Sequence, residues 1–164
     1  MAKSVYIAGD GLTKVDLTGR VFGSIFDLFA EAYRRALEDS PVRSFGAVQI
    51  GIMDSEEFEN RANIAAKVVD KIGLTGAPAI RSETASSTGA AAFHEAYYKI
   101  ASGEFDHVLV LAGERMKNVT TDVATEIMSR TVDPVERRFG FTMPGLIALV
   151  TQAWLRERGI GYPD

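Results

Sequence analysis

The residues best placed to do chemistry lie in the run Ser82-Glu83-Thr84-Ala85-Ser86-Ser87-Thr88-Gly89-Ala90-Ala91-Ala92-Phe93. An apolar stretch precedes it and an alanine-rich stretch follows, which sets small hydroxyl residues at a strand-to-helix junction. A helix start carries unpaired N–H groups and a partial positive charge, and these stabilise an anion or activate a nucleophile. Ser86 and Ser87 both stand at that point. One of them acting only as an N-cap is the plain structural alternative. Capping accounts for one serine, however, and leaves the small-residue run from Ser87 to Ala92, which would let the helix start pack closely on a partner or ligand.

A serine nucleophile needs a base within hydrogen-bond reach. His94 lies eight positions beyond Ser86, about 12 Å along a helix at roughly 1.5 Å per residue, and is excluded. His107, the other histidine, opens the following strand at the end away from the expected site and reads as surface or structural. No G-x-S-x-G elbow occurs, and the spacings assemble no Ser/His/Asp set. With no cysteine and two well-separated histidines, disulfides, thiolate metal sites and a cysteine nucleophile are all excluded.

Other candidates are weaker. Gly9-Asp10-Gly11 suggests a dinucleotide turn, but G-x-G-x-x-G would need glycine where Lys14 stands, and no helix follows directly. Glu114 and Arg115 put a carboxylate and a guanidinium at the end of an apolar strand, as a salt bridge, a cap or part of a site. Glu83 likewise ends a predicted buried strand and must be paired or hydrogen-bonded. Arg130, Arg137 and Arg138 form a locally basic stretch that suits either a solvated surface or phosphate binding.

The elements that must position these residues follow from period and punctuation. Val5 to Ala8 reads as a buried strand closed by a Gly-Asp-Gly turn. Ile25, Leu28, Phe29, Ala32, Ala36 and Leu37 recur at helical spacing behind a Ser24 N-cap, with Asp27 in the first turn. Ala47, Val48, Ile50 and Ile52 form a second strand, and Ile64, Ala65, Val68 and Ile72 a second helix with Gly73 as its left-handed cap. Ala77 to Ser82 is a third strand, with Pro78 near its start, and Ser87 to Ser102 a third helix. His107 to Ala112 is a fourth strand, continuous enough to be buried on both faces. The order β-α-β-α-β-α-β predicts an α/β fold, a mostly parallel sheet with helices on both faces and its sites beyond the carboxyl ends of the strands. Residues 117–140 show weak apolar periodicity. A last helix runs from Pro144 to Arg158, with Leu146, Ile147, Val150 and Trp154 as its apolar members.

At 164 residues and 46% hydrophobic, the chain is long enough for a real core in one domain. A net charge of −4 without a block of five like charges argues against nucleic acid as a partner. The N-terminus lacks a secretory pattern and no apolar run approaches the ~20 residues of a membrane span, so the expectation is a cytoplasmic protein.

Taken in order, Glu83-Thr84-Ala85-Ser86-Ser87-Thr88-Gly89, the alanine-rich helix, Ile100-Ala101-Ser102-Gly103 and His107 to Met116 resemble the N-terminal half of a thiolase, of the archaeal acetyl-CoA acetyltransferase or sterol-carrier-protein-x type. Val5 to Gly9, Gly11-Leu12-Thr13-Lys14 and Phe139-Gly140-Phe141-Thr142-Met143-Pro144-Gly145-Leu146 extend the likeness over nearly the whole chain. The resemblance implies a thiolase-like N-terminal α/β domain over residues 1–116 and part of a loop domain over 117–164. It implies acyl transfer between acyl-CoA units in lipid metabolism, with a coenzyme A thioester as substrate and no covalently bound cofactor or metal. Ser86 falls on the nucleophilic cysteine of the family's E-x-A-C-x-S-G pattern. Ser87, Thr88, Gly89, Met143, Arg137 and Arg138 would then bind substrate, with Glu83, Glu114 and Met116 as structural neighbours.

Two departures carry consequences. An alkoxide is far harder to form than a thiolate, whose unperturbed pKa is about 8.5, which makes Ser86 a poor nucleophile without a strong base. The family's chain is also more than twice as long. Its later histidine and second cysteine motifs, and the strand that follows the loop domain, are missing here, so the chain is expected to end inside that domain. An unfinished sheet exposes an edge and an apolar face. The expected partners are therefore a second copy through the Ala77 to Ser82 strand and a second thiolase-like chain, with an OB-fold zinc protein as a further candidate. A non-catalytic structural or regulatory subunit of an acyl-CoA complex is the alternative.

Overall fold

A computed structural model describes residues 3–15 and 22–161. The chain divides into two units, Met1–Thr120 and Thr121–Asp164.

In the first unit the opening helix, α1 (Ile25–Asp39), starts where the sequence places it. The Ser24 side chain accepts from the Asp27 N–H, and its hydroxyl donates back to the Asp27 carboxylate at 2.7 Å. That bond, and after it the Lys71 ion pair at 3.1 Å, holds the Asp27 carboxyl below its usual range. Next come strand β1 (Ala47–Gly51), the short helix α2 (Ser55–Glu59) and helix α3 (Ile64–Lys71). Strand β2 (Ala79–Ser82), helix α4 (Thr88–Ala101) and strand β3 (Val108–Ala112) complete the unit. Gly73, at φ +77°, turns the chain out of α3 as a left-handed glycine.

The three strands are parallel, in the order β2-β1-β3. Alternation along β1 separates the two faces. Val48 and Ile50, with Leu109 and Leu111 of β3, pack into a buried cluster with Ile25 and Phe29 of α1 and Ile64 and Val68 of α3. On the opposite face, α4 lies so close that a Cβ on Gly51 would sit 3.1 Å from the Ala92 and Ala112 Cβ atoms and from the Thr88 carbonyl. That face also holds the fully buried Gln49. Its side-chain amide donates to Ser82 Oγ at 2.8 Å, and its carbonyl accepts from Lys99 Nζ at 2.7 Å. The α/β fold with a parallel sheet covered on both faces is as expected.

Three expectations are corrected. Residues 5–8 form no strand: Tyr6 and Ile7 are 82% and 74% exposed, because no neighbouring strand offers this segment a ladder. The segment is instead held on α1, where a Cβ on Gly11 would meet the Ala32 carbonyl at 2.3 Å and the Asp10 N–H donates to Asp39. The two glycines thus serve close packing on a helix. Second, β3 is not buried on both faces: Leu109 and Leu111 are buried, Val108 and Val110 only partly, and Ala112 is exposed. β2 is likewise half-exposed, and it starts at Ala79 rather than Ala77, with the Pro78 carbonyl just before it accepting from the Val48 N–H at 2.8 Å. Third, the sequence reading missed α2 and the two short helices of the second unit.

That unit consists of α5 (Thr121–Ser129), α6 (Pro134–Arg138) and α7 (Met143–Glu157). Asp133 caps α6 ahead of Pro134, and Thr142 caps α7 by accepting from the Gly145 N–H at 3.3 Å. None of the apolar residues expected to face a core from α7 is buried, and Ile147, Val150 and Trp154 are exposed.

Gly51 tests the contact between sheet and helix. Gly51→Val suits strand propensity but drives its side chain into three atoms already at 3.1 Å. Overpacking of this kind costs about 1–3 kcal/mol, and urea unfolding should show a loss of that size.

Candidate functional site

The sequence-predicted cluster forms at the carboxyl end of β2. After Ser82 the chain turns through Ala85, a non-glycine residue at φ +51°, into a 3₁₀ turn (Ala85–Ser87) that runs directly into α4. Side chains hold this left-handed turn. Thr88 Oγ1 accepts from the Thr84 N–H at 3.0 Å and donates to the Ala85 carbonyl at 2.6 Å. Glu83 accepts from the Ala85 N–H at 2.7 Å. Ser87 Oγ is turned back onto the Thr84 carbonyl at 2.8 Å.

This arrangement settles the capping question. Ser87 occupies the N-cap position but makes no capping bond, so α4 begins without a side-chain cap. Ser86 is exposed, and its hydroxyl has no partner among the described residues. Thr88 is buried under the turn, while Gly89 is exposed on the first turn of the helix. His94 is exposed further along α4 beside Tyr98, and His107 is exposed at the opposite end of β3. Neither supplies a base to Ser86.

The carboxyl ends of β1 and β3 carry a second polar group. Glu114 Oε2 accepts from the Met53 and Asp54 N–H groups at 2.9 and 3.1 Å, fixing the loop that leaves β1. Its Oε1 is buried without a hydrogen-bond partner among the described residues. Burial raises the pKa of Glu114, against the lowering effect of the two N–H groups. Arg115 forms a buried ion pair with Glu59 at 2.9 Å and donates to the Phe22 carbonyl at 3.0 Å. Met116 stays exposed beyond them in a 3₁₀ turn.

The sequence reading did not single out Arg81, which ties the same loop to β2. Its guanidinium donates to the Ile52 and Met53 carbonyls, to Ser55 Oγ at 3.2 Å and to Glu56 at 2.6 and 2.8 Å. Gln49 and Lys99 were also missed. The signal was present for Arg81 and Gln49, since a polar residue inside a predicted buried strand must find partners. Of the remaining predicted residues, Arg137 and Arg138 end α6, and Met143 opens α7, in the second unit. Among the described residues no three His, Asp or Glu side chains gather in a way that could hold a metal ion, and no helix is long and apolar enough to cross a membrane.

Glu114 makes stability depend on pH with a definite sign. A carboxyl whose folded pKa is raised is tolerated fully while protonated. It loses stability as pH climbs from the ordinary value of 4.5 through the folded value. Glu114→Gln keeps an acceptor for the Met53 and Asp54 amides without the charge. In urea titrations the variant should gain on wild type as pH rises from 4.5 to neutrality, whereas a pH-independent difference would contradict the buried-carboxylate account.

Comparison of the sequence with known proteins identifies the family. The family model for the thiolase N-terminal domain covers residues 5–155. The chain is 32% identical over 161 residues to an acetyl-CoA acetyltransferase of Methanocaldococcus jannaschii, covering 96% of this chain and 40% of that protein. It is 30% identical over 138 residues to an acetyl-CoA acetyltransferase of Methanothermobacter thermautotrophicus, covering 83% of this chain and 36% of that one. The chain therefore spans well under half the length of these relatives. With the family match running from the first apolar segment into α7, and the Glu83 to Gly89 turn standing at the head of α4, the chain belongs to the thiolase family and carries its N-terminal region.

Proposed function

We propose that this chain is a thiolase-like acyltransferase subunit or fragment that presents the start of α4 to an acyl-CoA thioester and is catalytically incomplete by itself. The observation that carries this reading is the position of Ser86. It lies one residue after the left-handed Ala85, at the uncapped start of a fourteen-residue helix, with its hydroxyl exposed and unpartnered among the described residues. The helix dipole favours negative charge there, whether on an attacking oxygen or on an acyl carbonyl oxygen.

Acyl transfer would form a bond between Ser86 Oγ and the acyl carbon and break the bond from that carbon to the coenzyme A sulfur. The hydroxyl proton would pass to a base and then to the departing thiolate. Neither His94 nor His107 is placed to serve, so the base comes from a second thiolase-like chain. Ser87, Thr88 and Gly89 shape the floor of the site. Glu83, Glu114 and Met116 are its structural neighbours. Residues 117–164 are read as part of the loop domain, with Arg137 and Arg138 for the coenzyme A phosphates and Met143 for the acyl arm. A second copy would pair along β2, whose outward backbone groups at Ala79 and Arg81 face away from β1. An OB-fold zinc protein remains a candidate partner, and the setting is cytoplasmic acyl-CoA metabolism.

Serine in place of cysteine, with no base beside it, favours a second reading: a non-catalytic structural or regulatory subunit of an acyl-CoA complex.

Because the chain contains no cysteine, Ser86→Cys introduces a unique thiol. Its rate of alkylation by iodoacetamide against pH should report a thiol pKa below the ordinary value of about 8.5. Intact mass after incubation with acetyl-CoA should show one acetyl adduct on the variant and none on wild type. An ordinary thiol pKa together with no adduct would remove Ser86 from the site and leave the non-catalytic reading.

A further inference from the structure

Where the chain leaves β1, both backbone groups of Met53 are held by charged side chains. Its N–H donates to Glu114 Oε2 at 2.9 Å, and its carbonyl accepts from the Arg81 guanidinium, whose Nε also donates to the Ile52 carbonyl at 2.9 Å. Arg81 belongs to β2, and Glu114 lies just beyond β3, so the backbone of residue 53 is clamped from both flanking strands. The clamp uses main-chain groups only and leaves the Met53 side chain out of it.

The alternation of β1 gives the face on which that side chain lies. Val48, Ile50 and Ile52 belong to the buried cluster with α1 and α3. Gln49 and Gly51 belong to the other face, where Gln49 bonds Lys99 of α4 and Gly51 abuts Ala92 and the Thr88 carbonyl. Met53 is the next member of this second set, and it is half-buried. Because α4 connects two parallel strands, it runs against them and begins over their carboxyl ends. Its first turn stands against Gly51. Met53 lies two residues beyond Gly51, roughly 7 Å further out at ~3.3 Å per residue, and Ser86 lies two residues outward of Thr88. Both therefore stand beyond the head of α4 on the same face of the sheet. Gly51 contributes no side chain, so after Gln49 the first one that the line of β1 presents there is Met53.

We propose that Met53 is the wall against which an acyl chain carried at residue 86 packs, and that it sets the length of chain the site accepts. The proposal deepens the reading given under Proposed function and rests on it. A thioether side chain is apolar and unbranched, which suits contact with an alkyl chain, and the clamped backbone fixes where that surface begins. A two-carbon acyl group leaves the Met53 side chain in place, whereas a longer one competes with it for the same volume.

The test uses the full chain carrying Ser86→Cys, with and without a second substitution at position 53. Each protein is incubated with an equimolar mixture of acetyl-CoA and hexanoyl-CoA, and the adducts are read by intact mass. Met53→Ala should raise the ratio of hexanoyl to acetyl adduct by about tenfold or more, the scale on which a changed methylene count alters discrimination in an apolar pocket. Met53→Leu, which nearly keeps the volume, should return the ratio to that of the Met53 protein. A readout free of acyl chemistry comes from Met53→Cys combined with Ser86→Cys, which leaves two thiols in a chain that otherwise has none. Dibromobimane, which fluoresces once it has bridged two neighbouring thiols, should join them within one chain. Failure to bridge would overturn the placement of Met53 and the proposal with it. Bridging together with an adduct ratio that ignores residue 53 would overturn the specificity role and leave the acyl site standing. Bridging with no adduct of either thioester in any variant would remove the acyl site itself, and the proposal with it.

Discussion

The fold of the first unit depends on β1. All five of its residues are buried, it is hydrogen-bonded on both edges, and it separates the two packed faces of the sheet. A parallel pair cannot be closed by a tight turn, so β2 and β3 reach β1 only through helical crossovers, and α3 and α4 exist to make them. Gly51 at the end of the strand brings the head of α4 to within van der Waals limits of the sheet. The location of Ser86 follows from that contact, since a side chain at residue 51 would lift the helix start on which it sits.

Polar groups stabilise the same end of the sheet. Glu114 holds the amides of the loop leaving β1, Arg81 holds its carbonyls, and Arg115 ties the chain beyond β3 to α2. Burying Glu114, Glu59 and Arg115 here would be costly if they were unpaired, and each has a partner. Glu114 Oε1 alone has none among the described residues, and burial raises that acid's pKa. On the Gln49 face, Lys99 and Ser82 complete a second closed set across the helix and two strands.

Membership of the thiolase family and the proposed role of Ser86 point in different directions. The turn and the helix start that would hold a reacting group are present, whereas the residue proposed for that position offers a hydroxyl and the chain has no cysteine. The sheet carries the same tension, with a complete central strand and an outer edge on β3 whose backbone groups have no partner among the described residues.

Much of this was legible from the residues. The period change at Ser24, the glycine after α3, the uninterrupted apolar run of β3 and the order of the motifs identified an α/β fold and placed Ser86 at a helix start, because local propensity and burial act there in the same sense. The exposed state of residues 5–8 was not legible, since an apolar run records the capacity to be buried and only the tertiary structure shows whether a neighbouring strand is present to bury it. The short helices α2 and α6, at five residues each, leave too little periodicity to detect. The same limit applies to Ser87, which the sequence offered, with Ser86, as a cap or as part of a site. Its hydroxyl turned out to bond Thr84, because the left-handed Ala85 folds the chain back on itself. Residue type and spacing determine which groups can do chemistry, and long-range packing decides which of them are left free to do it.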